Sequence, residues 1–185
     1  MPQQRSYPKS VANVQATKNA PKKIILTWDY APAEDFAYFK VYRTTSKILP
    51  YTYLAKTTSN TYEDLINTNA ATRYYRVTAV DKDGLESLKQ EESIVGSTLG
   101  APKTPSISAS YDGSGVNVSW NAVDRASSYT LYRGGASEKV FSNISETSIR
   151  DDSVQPGASY TYSVVAVDEY GIASDKSSKA EVSIK

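Results

Sequence analysis

The chain says one thing twice. Ala79-Val80-Asp81-Lys82-Asp83-Gly84-Leu85-Glu86-Ser87 returns as Ala166-Val167-Asp168-Glu169-Tyr170-Gly171-Ile172-Ala173-Ser174, and Trp28 returns as Trp120 at nearly the same interval, roughly ninety residues. Each copy must then close a core of its own, which suits a small all-β domain and leaves little room for an enzyme. Composition removes further chemistry. The 185 residues contain no cysteine and no histidine, which excludes disulfides, thiolate metal sites and Ser-His-Asp hydrolysis within them. Lysine plus arginine number 21 and aspartate plus glutamate 20, so no global field of one sign draws the chain to nucleic acid or to an anionic membrane. Apolar runs such as Lys23-Ile24-Ile25-Leu26-Thr27-Trp28 are too short to span a bilayer, and Met1-Pro2-Gln3-Gln4-Arg5 lacks the apolar region of a signal peptide. The chain reads as a soluble segment, its polar start and strand-like end being those of a piece excised from a longer protein.

Short apolar–polar alternation marks the strands. Ile24, Leu26 and Trp28 point one way, and Val116, Val118 and Trp120 repeat them in the second copy. The next strand, Phe39 to Arg43 and Tyr129 to Arg133, turns Phe39, Val41, Tyr129 and Leu131 toward the core and Tyr42 and Tyr132 toward water. The longest strands, Arg73 to Asp81 and Tyr160 to Asp168, bury Tyr75, Val77 and Ala79 and then Tyr162, Val164 and Ala166, the small alanines packing across from the tryptophan. Shorter strands are expected over 11–16, 53–57, 61–63 and 93–97, then over 106–110, 139–142, 148–150 and 180–184. Turn residues such as Asp112-Gly113-Ser114-Gly115 and Gln155-Pro156-Gly157 separate them. The expected class is all-β: two tandem immunoglobulin-like β-sandwiches of about seven strands each. Residues 1–7 read as a disordered lead-in, 8–99 as the first domain and 100–185 as the second. The two prolines of Ser97–Pro105 make a stiff linker that restricts relative orientation.

Several of these residues also carry a family likeness. The core tryptophan of the second strand, the aromatic-x-aliphatic third strand and the Tyr-x-Val-x-Ala-Val strand near the end of each copy resemble the fibronectin type III domain, from about Pro8 onward. Val154-Gln155-Pro156-Gly157-Ala158-Ser159-Tyr160 is similar to the family's corner, which implies that the Tyr160 hydroxyl bonds back to the turn. The first copy departs from that pattern. Its Leu65–Arg73 segment is longer, lacks Pro-Gly and has Arg73 where the tyrosine belongs, so a looser loop is expected there. Tyr-Arg on the third strand together with Ala-Val-Asp-x-x-Gly-x-x-Ser is similar to bacterial versions of the domain. Such versions occur in surface lipoproteins and adhesins, as accessory modules of secreted polysaccharide-degrading enzymes and in phage tail proteins. The resemblance implies an extracellular or cell-envelope location and work done by presented surface.

Candidate sites follow from side-chain chemistry. Asp81-Lys82-Asp83-Gly84 begins like a calcium loop, but its glycine comes too early, no glutamate closes it and Tyr170 replaces Asp83 in the second copy, so a polar hairpin turn is expected and no metal or cofactor. The acidic pairs Glu63-Asp64 and Asp151-Asp152 read as solvated edge charges, because adjacent strand residues face opposite ways. Tyrosine is the abundant aromatic, 15 against three phenylalanines. On the first copy Tyr38, Lys40 and Tyr42 of the third strand lie beside Tyr74 and Arg76 of the long strand, an aromatic–cationic outer face of the kind favoured in protein binding. Cross-strand pairing that merely stabilises an exposed sheet is the competing explanation. Lys40, Arg43, Arg73 and Arg76 as a nucleic-acid platform are disfavoured by the neutral net charge. The expected function is a monomeric, non-catalytic binding or adhesion module that holds a protein ligand such as host extracellular matrix, without nucleic acid and without inserting into a membrane. The alternative is a passive spacer or accessory module of a larger secreted polysaccharide-degrading enzyme or phage tail protein; a carbohydrate module would need aromatic rings aligned to stack on sugars.

Overall fold

Side chains that alternate across a pleated backbone give each strand one apolar face, and the chain stacks those faces in pairs. The computed structural model describes residues 6–185. The first five residues of the expected lead-in lie outside that range. Two compact units divide the chain, 1–100 and 101–185.

In the first unit the strands are β1 (Ala12–Ala16), β2 (Lys23–Asp29), β3 (Phe36–Thr44), β4 (Thr52–Thr57), β5 (Thr61–Leu65), β6 (Thr72–Asp81) and β7 (Ile94–Ser97). They form a three-stranded sheet, β1-β2-β5, and a four-stranded sheet, β4-β3-β6-β7, with every pairing antiparallel. The second unit repeats this order with β8 (Ile107–Tyr111), β9 (Val116–Trp120), β10 (Ser128–Gly135), β11 (Lys139–Ile144), β12 (Ser148–Asp151), β13 (Ser159–Val167) and β14 (Ala180–Ser183). Its sheets are β8-β9-β12 and β11-β10-β13-β14. The described residues are thus all-β, seven strands to a unit, as the alternation predicts. No helix among them is long and apolar enough to cross a membrane.

The cores are where the pattern puts them. Ile24, Leu26 and Trp28 of one sheet meet Phe39, Val41, Tyr75, Val77 and Ala79 of the other. Val116, Val118 and Trp120 meet Tyr129, Leu131, Tyr160, Tyr162, Val164 and Ala166 in the second unit. Trp28 stands edge-on to Phe39 with ring centres 5.3 Å apart, a geometry that adds about 0.5–1.5 kcal/mol beyond burial.

Polar side chains finish what the strands leave open. The Tyr160 hydroxyl accepts the Gln155 N–H at 3.0 Å, as the corner resemblance implies. In the first unit the expected looseness of the 65–73 loop is corrected: Thr98 Oγ1 accepts the Ala71 N–H at 2.9 Å and donates to the Thr68 carbonyl at 2.6 Å. A side chain from beyond β7 replaces the missing tyrosine. The Asp81 carboxylate accepts N–H groups of Asp83 and Leu85, and Asp168 accepts those of Tyr170 and Ile172. Gly84 and Gly171 turn at φ of 84° and 77°, a region glycine enters without steric cost. Both are polar hairpins. Pairing of β7 to β6 ends at Tyr75, and the Gln90 amide then bonds both the Val77 N–H and its carbonyl, at 2.8 and 2.7 Å, while Ser87 Oγ accepts the Ala79 N–H. Ser177 and Ser174 do the same for Val164 and Ala166.

Candidate functional site

Period-two geometry and the β3–β6 register bring all five residues of the expected outer face together. Tyr38, Lys40 and Tyr42 share one side of β3, and Tyr42 lies directly opposite Arg76 of β6, with Tyr74 two residues before it on the same side. None of the five is fully exposed; each is half-buried. The segment after β6 folds back on the face, bridging Val80 to Glu86. The Glu86 carboxylate there accepts hydrogen bonds from the Tyr42 hydroxyl at 2.5 Å, Thr78 Oγ1 at 2.7 Å and Lys40 Nζ at 3.2 Å. Burial works to raise the Glu86 carboxyl, and these three donors outweigh it and hold it below its usual value. Burial, then the bond to Glu86, pushes the Tyr42 hydroxyl well above its usual range, so it stays a donor.

Cations cover the rings as well. Lys89 Nζ lies 4.3 Å from the Tyr42 ring centre, Lys56 Nζ 5.3 Å from Tyr38 and Lys47 Nζ 5.8 Å from Tyr74, while the Arg76 guanidinium sits 4.5 Å over Tyr51. Much of the face's bonding capacity is therefore engaged inside the unit. The expectation that Tyr42 and Tyr132 face water needs correction: the Glu86–Lys89 segment lies over Tyr42, and Lys176 Nζ stands 4.1 Å from the Tyr132 ring.

The acidic pairs divide: Glu63 and Asp152 are exposed as expected, and the other two depart from expectation. Asp64 and Asp151 are buried, because the register sets them opposite the inward residues Ile24 and Val116. Each joins an arginine from the third strand and a tyrosine from the long strand. Arg43 Nη1 donates to both Asp64 oxygens at 2.8 and 3.0 Å, and the Tyr75 hydroxyl donates to Oδ2 at 2.6 Å. In the second unit Arg133 Nη1 and the Tyr162 hydroxyl both donate to Asp151 Oδ2 at 2.8 Å, and Ser153 Oγ donates to Oδ1 at 2.6 Å. Burial would raise the Asp151 carboxyl; bonds from Ser153, Arg133 and Tyr162 prevail and bring it down to about 2. A carboxylate held this way supports the core and is a poor proton acceptor at neutral pH. Arg43 accordingly leaves the basic set with Lys40 and Arg76, which lie on the other side of the sheet.

One concavity escaped the sequence reading. At the end of the first unit where the lead-in meets the β2–β3 loop, a cleft of about 550 Å³ is lined by Tyr7, Pro8, Tyr30, Pro32, Asp35 and Phe36 among others. The signal available was compositional: aromatic and proline residues clustered at Tyr7-Pro8 and between Tyr30 and Phe36, with none of the aromatics repeated in the second copy.

No family model matches the chain. Over 87 residues it is 40% identical to an amylopullulanase of Thermoanaerobacterium saccharolyticum, a stretch equal to 44% of this chain and 7% of that protein. Over 120 residues it is 36% identical to an amylopullulanase of Thermoanaerobacterium thermosulfurigenes, covering 60% of this chain and 6% of the relative. The chain thus spans less than a tenth of the curated relatives it matches. Among solved structures it is similar to an Fn3-like protein from Clostridium thermocellum, 32% identical with a TM-score of 0.41, covering 46% of this chain and 96% of that one. The strand order in each unit and a tryptophan buried from β2 and again from β9, joined in the second unit by the hydroxyl-tied corner at Tyr160, make both halves fibronectin type III domains, and the chain belongs to that family as a tandem pair.

Proposed function

We propose that this tandem is a non-catalytic accessory part of a larger secreted bacterial enzyme that degrades starch-type polysaccharides. The observation that carries the reading is the match to amylopullulanases of which the chain makes up only 6 or 7%. An extracellular location follows from the same reading. The chemistry of the two units supports it: their buried carboxylates are held by arginine, tyrosine and serine donors. The protein-binding alternative at Tyr38, Lys40, Tyr42, Tyr74 and Arg76 is less favoured, because Lys40 and Tyr42 are bonded to Glu86 and lysines stand over the rings of Tyr38 and Tyr74.

Antibodies raised against the chain test the proposal. They are expected to detect, in the culture medium of the source cells, a polypeptide far larger than the chain's own 20.2 kDa that clears starch and pullulan in a zymogram. An epitope retained on the cells, or secreted without clearing activity, overturns it; a matrix-binding surface protein would give the first of these results.

A further inference from the structure

The cleft at the lead-in end of the first unit is lined by rings that have no counterpart in the second unit. Trp28 packs on Phe39, Phe39 on Tyr30 at 5.2 Å and on Phe36 at 4.7 Å, and Tyr30 on Phe36 at 5.4 Å. The aromatic stack thus runs from the core outward into the cleft, where Tyr7 stands 71% exposed. The second unit is an internal control. Between Trp120 and Tyr129 it has no aromatic residue, whereas the first unit has Tyr30, Phe36 and Tyr38 between Trp28 and Phe39. The same sandwich closes in both cases.

Polar groups flank the rings. Asp35 and Lys9 line the cleft, and an adjoining groove of about 170 Å³ shares Lys9 and Tyr30 and adds Ser10 and Asp29. The cleft's volume falls within the roughly 300–1,000 Å³ of small-ligand sites, and apolar walls with a few polar groups are the usual composition of such sites. The charges decide the class of ligand. Asp29, Asp35 and Asp81 against Lys9 repel a phosphate chain, while carboxylates that only accept and an ammonium that only donates suit hydroxyl groups, which do both. A pyranose offers that pairing, with an apolar C–H face for a ring and hydroxyls at its edge.

We propose that this cleft is a subsite for a neutral polysaccharide of the starch type, whose sugar units stack on Tyr7 and Tyr30 and hydrogen-bond to Asp35 and Lys9. The starch type rests on the accessory-module reading; the sugar class rests on the cleft itself.

Native affinity electrophoresis of the 185-residue chain in gels containing soluble starch, pullulan or hydroxyethyl cellulose tests it. Starch and pullulan are expected to retard the wild-type chain and cellulose to leave it unretarded. Tyr30→Ala should abolish retardation. Because Tyr30 also packs on Phe36 and Phe39, the exposed Tyr7→Ala is the second variant, expected to weaken binding at least tenfold with an unchanged melting temperature. Wild-type protein that no glucan retards, or retardation that survives both substitutions, overturns the subsite whatever the zymogram gives. Retardation by cellulose alone overturns the starch assignment. Starch retardation together with a zymogram that shows no clearing overturns the accessory reading and leaves the subsite standing.

Discussion

A carboxylate buried beside arginine, tyrosine and serine makes the second unit sensitive to one atom group. Replacing Asp151 by Asn leaves the Arg133 guanidinium buried with its charge uncompensated, and breaking a buried pair in this way costs about 3–5 kcal/mol. Calorimetry at pH 7 should show the second unit's transition falling accordingly. Acid acts on the same group. Its folded value of about 2 lies below the roughly 3.9 of an unfolded aspartate, so the stability it contributes is present above about pH 4 and is lost as pH falls toward 2. The wild-type midpoint should drop across that window, and Asp151→Asn should flatten the drop; parallel acid limbs would refute the assignment. These residues were misread in the sequence for an identifiable reason. Adjacent acids do face opposite ways, which guarantees that one of each pair points inward wherever the strand is half-buried. The informative neighbour was the arginine of Tyr42-Arg43 and Tyr132-Arg133, which shares its face with Val41 and Leu131 and therefore requires an internal anion.

At the level of strands, side chains standing in for a missing partner strand give local stability a readable signature. The Gln90 amide completes the ladder at Val77, so Gln90→Ala leaves that N–H and carbonyl without their bonds. Amide hydrogen exchange at Val77 should accelerate by at least tenfold, with exchange at Val41, in the centre of the same sheet, unchanged; equal rates in variant and wild type would mean that the amide carries no share of the edge. Strands were legible because alternation reports burial directly, and the five face residues were legible because period two and strand adjacency fix which side each takes. What covers that face was not. Glu86 and Lys89 sit in an irregular segment without periodicity, so the fold-back that engages Lys40 and Tyr42 leaves no pattern to read. A register shift in β3 between Phe36 and Tyr38 is hidden for the same reason. The cleft escaped because Tyr7 and Tyr30 lie outside the strands and Phe36 opens β3 ahead of its register shift, where period two does not carry through.

Taken whole, the molecule is one design executed twice with different access to water. The Arg43 side chain is 33% exposed beside Asp64 at 5%, whereas Arg133 is 5% exposed beside Asp151 at 0%. Mobile ions reach only charges that solvent reaches, and the Debye length contracts from about 10 Å at 0.1 M salt to about 3 Å at 1 M. Double-mutant cycles on the two pairs should diverge as sodium chloride rises over that range. The Arg43–Asp64 coupling is expected to sink below about 1 kcal/mol, the regime of exposed pairs, and the Arg133–Asp151 coupling to hold; couplings that fall together would contradict the difference in exposure. Brine is thus a key that turns in one lock of the matched set and finds no keyhole in its twin.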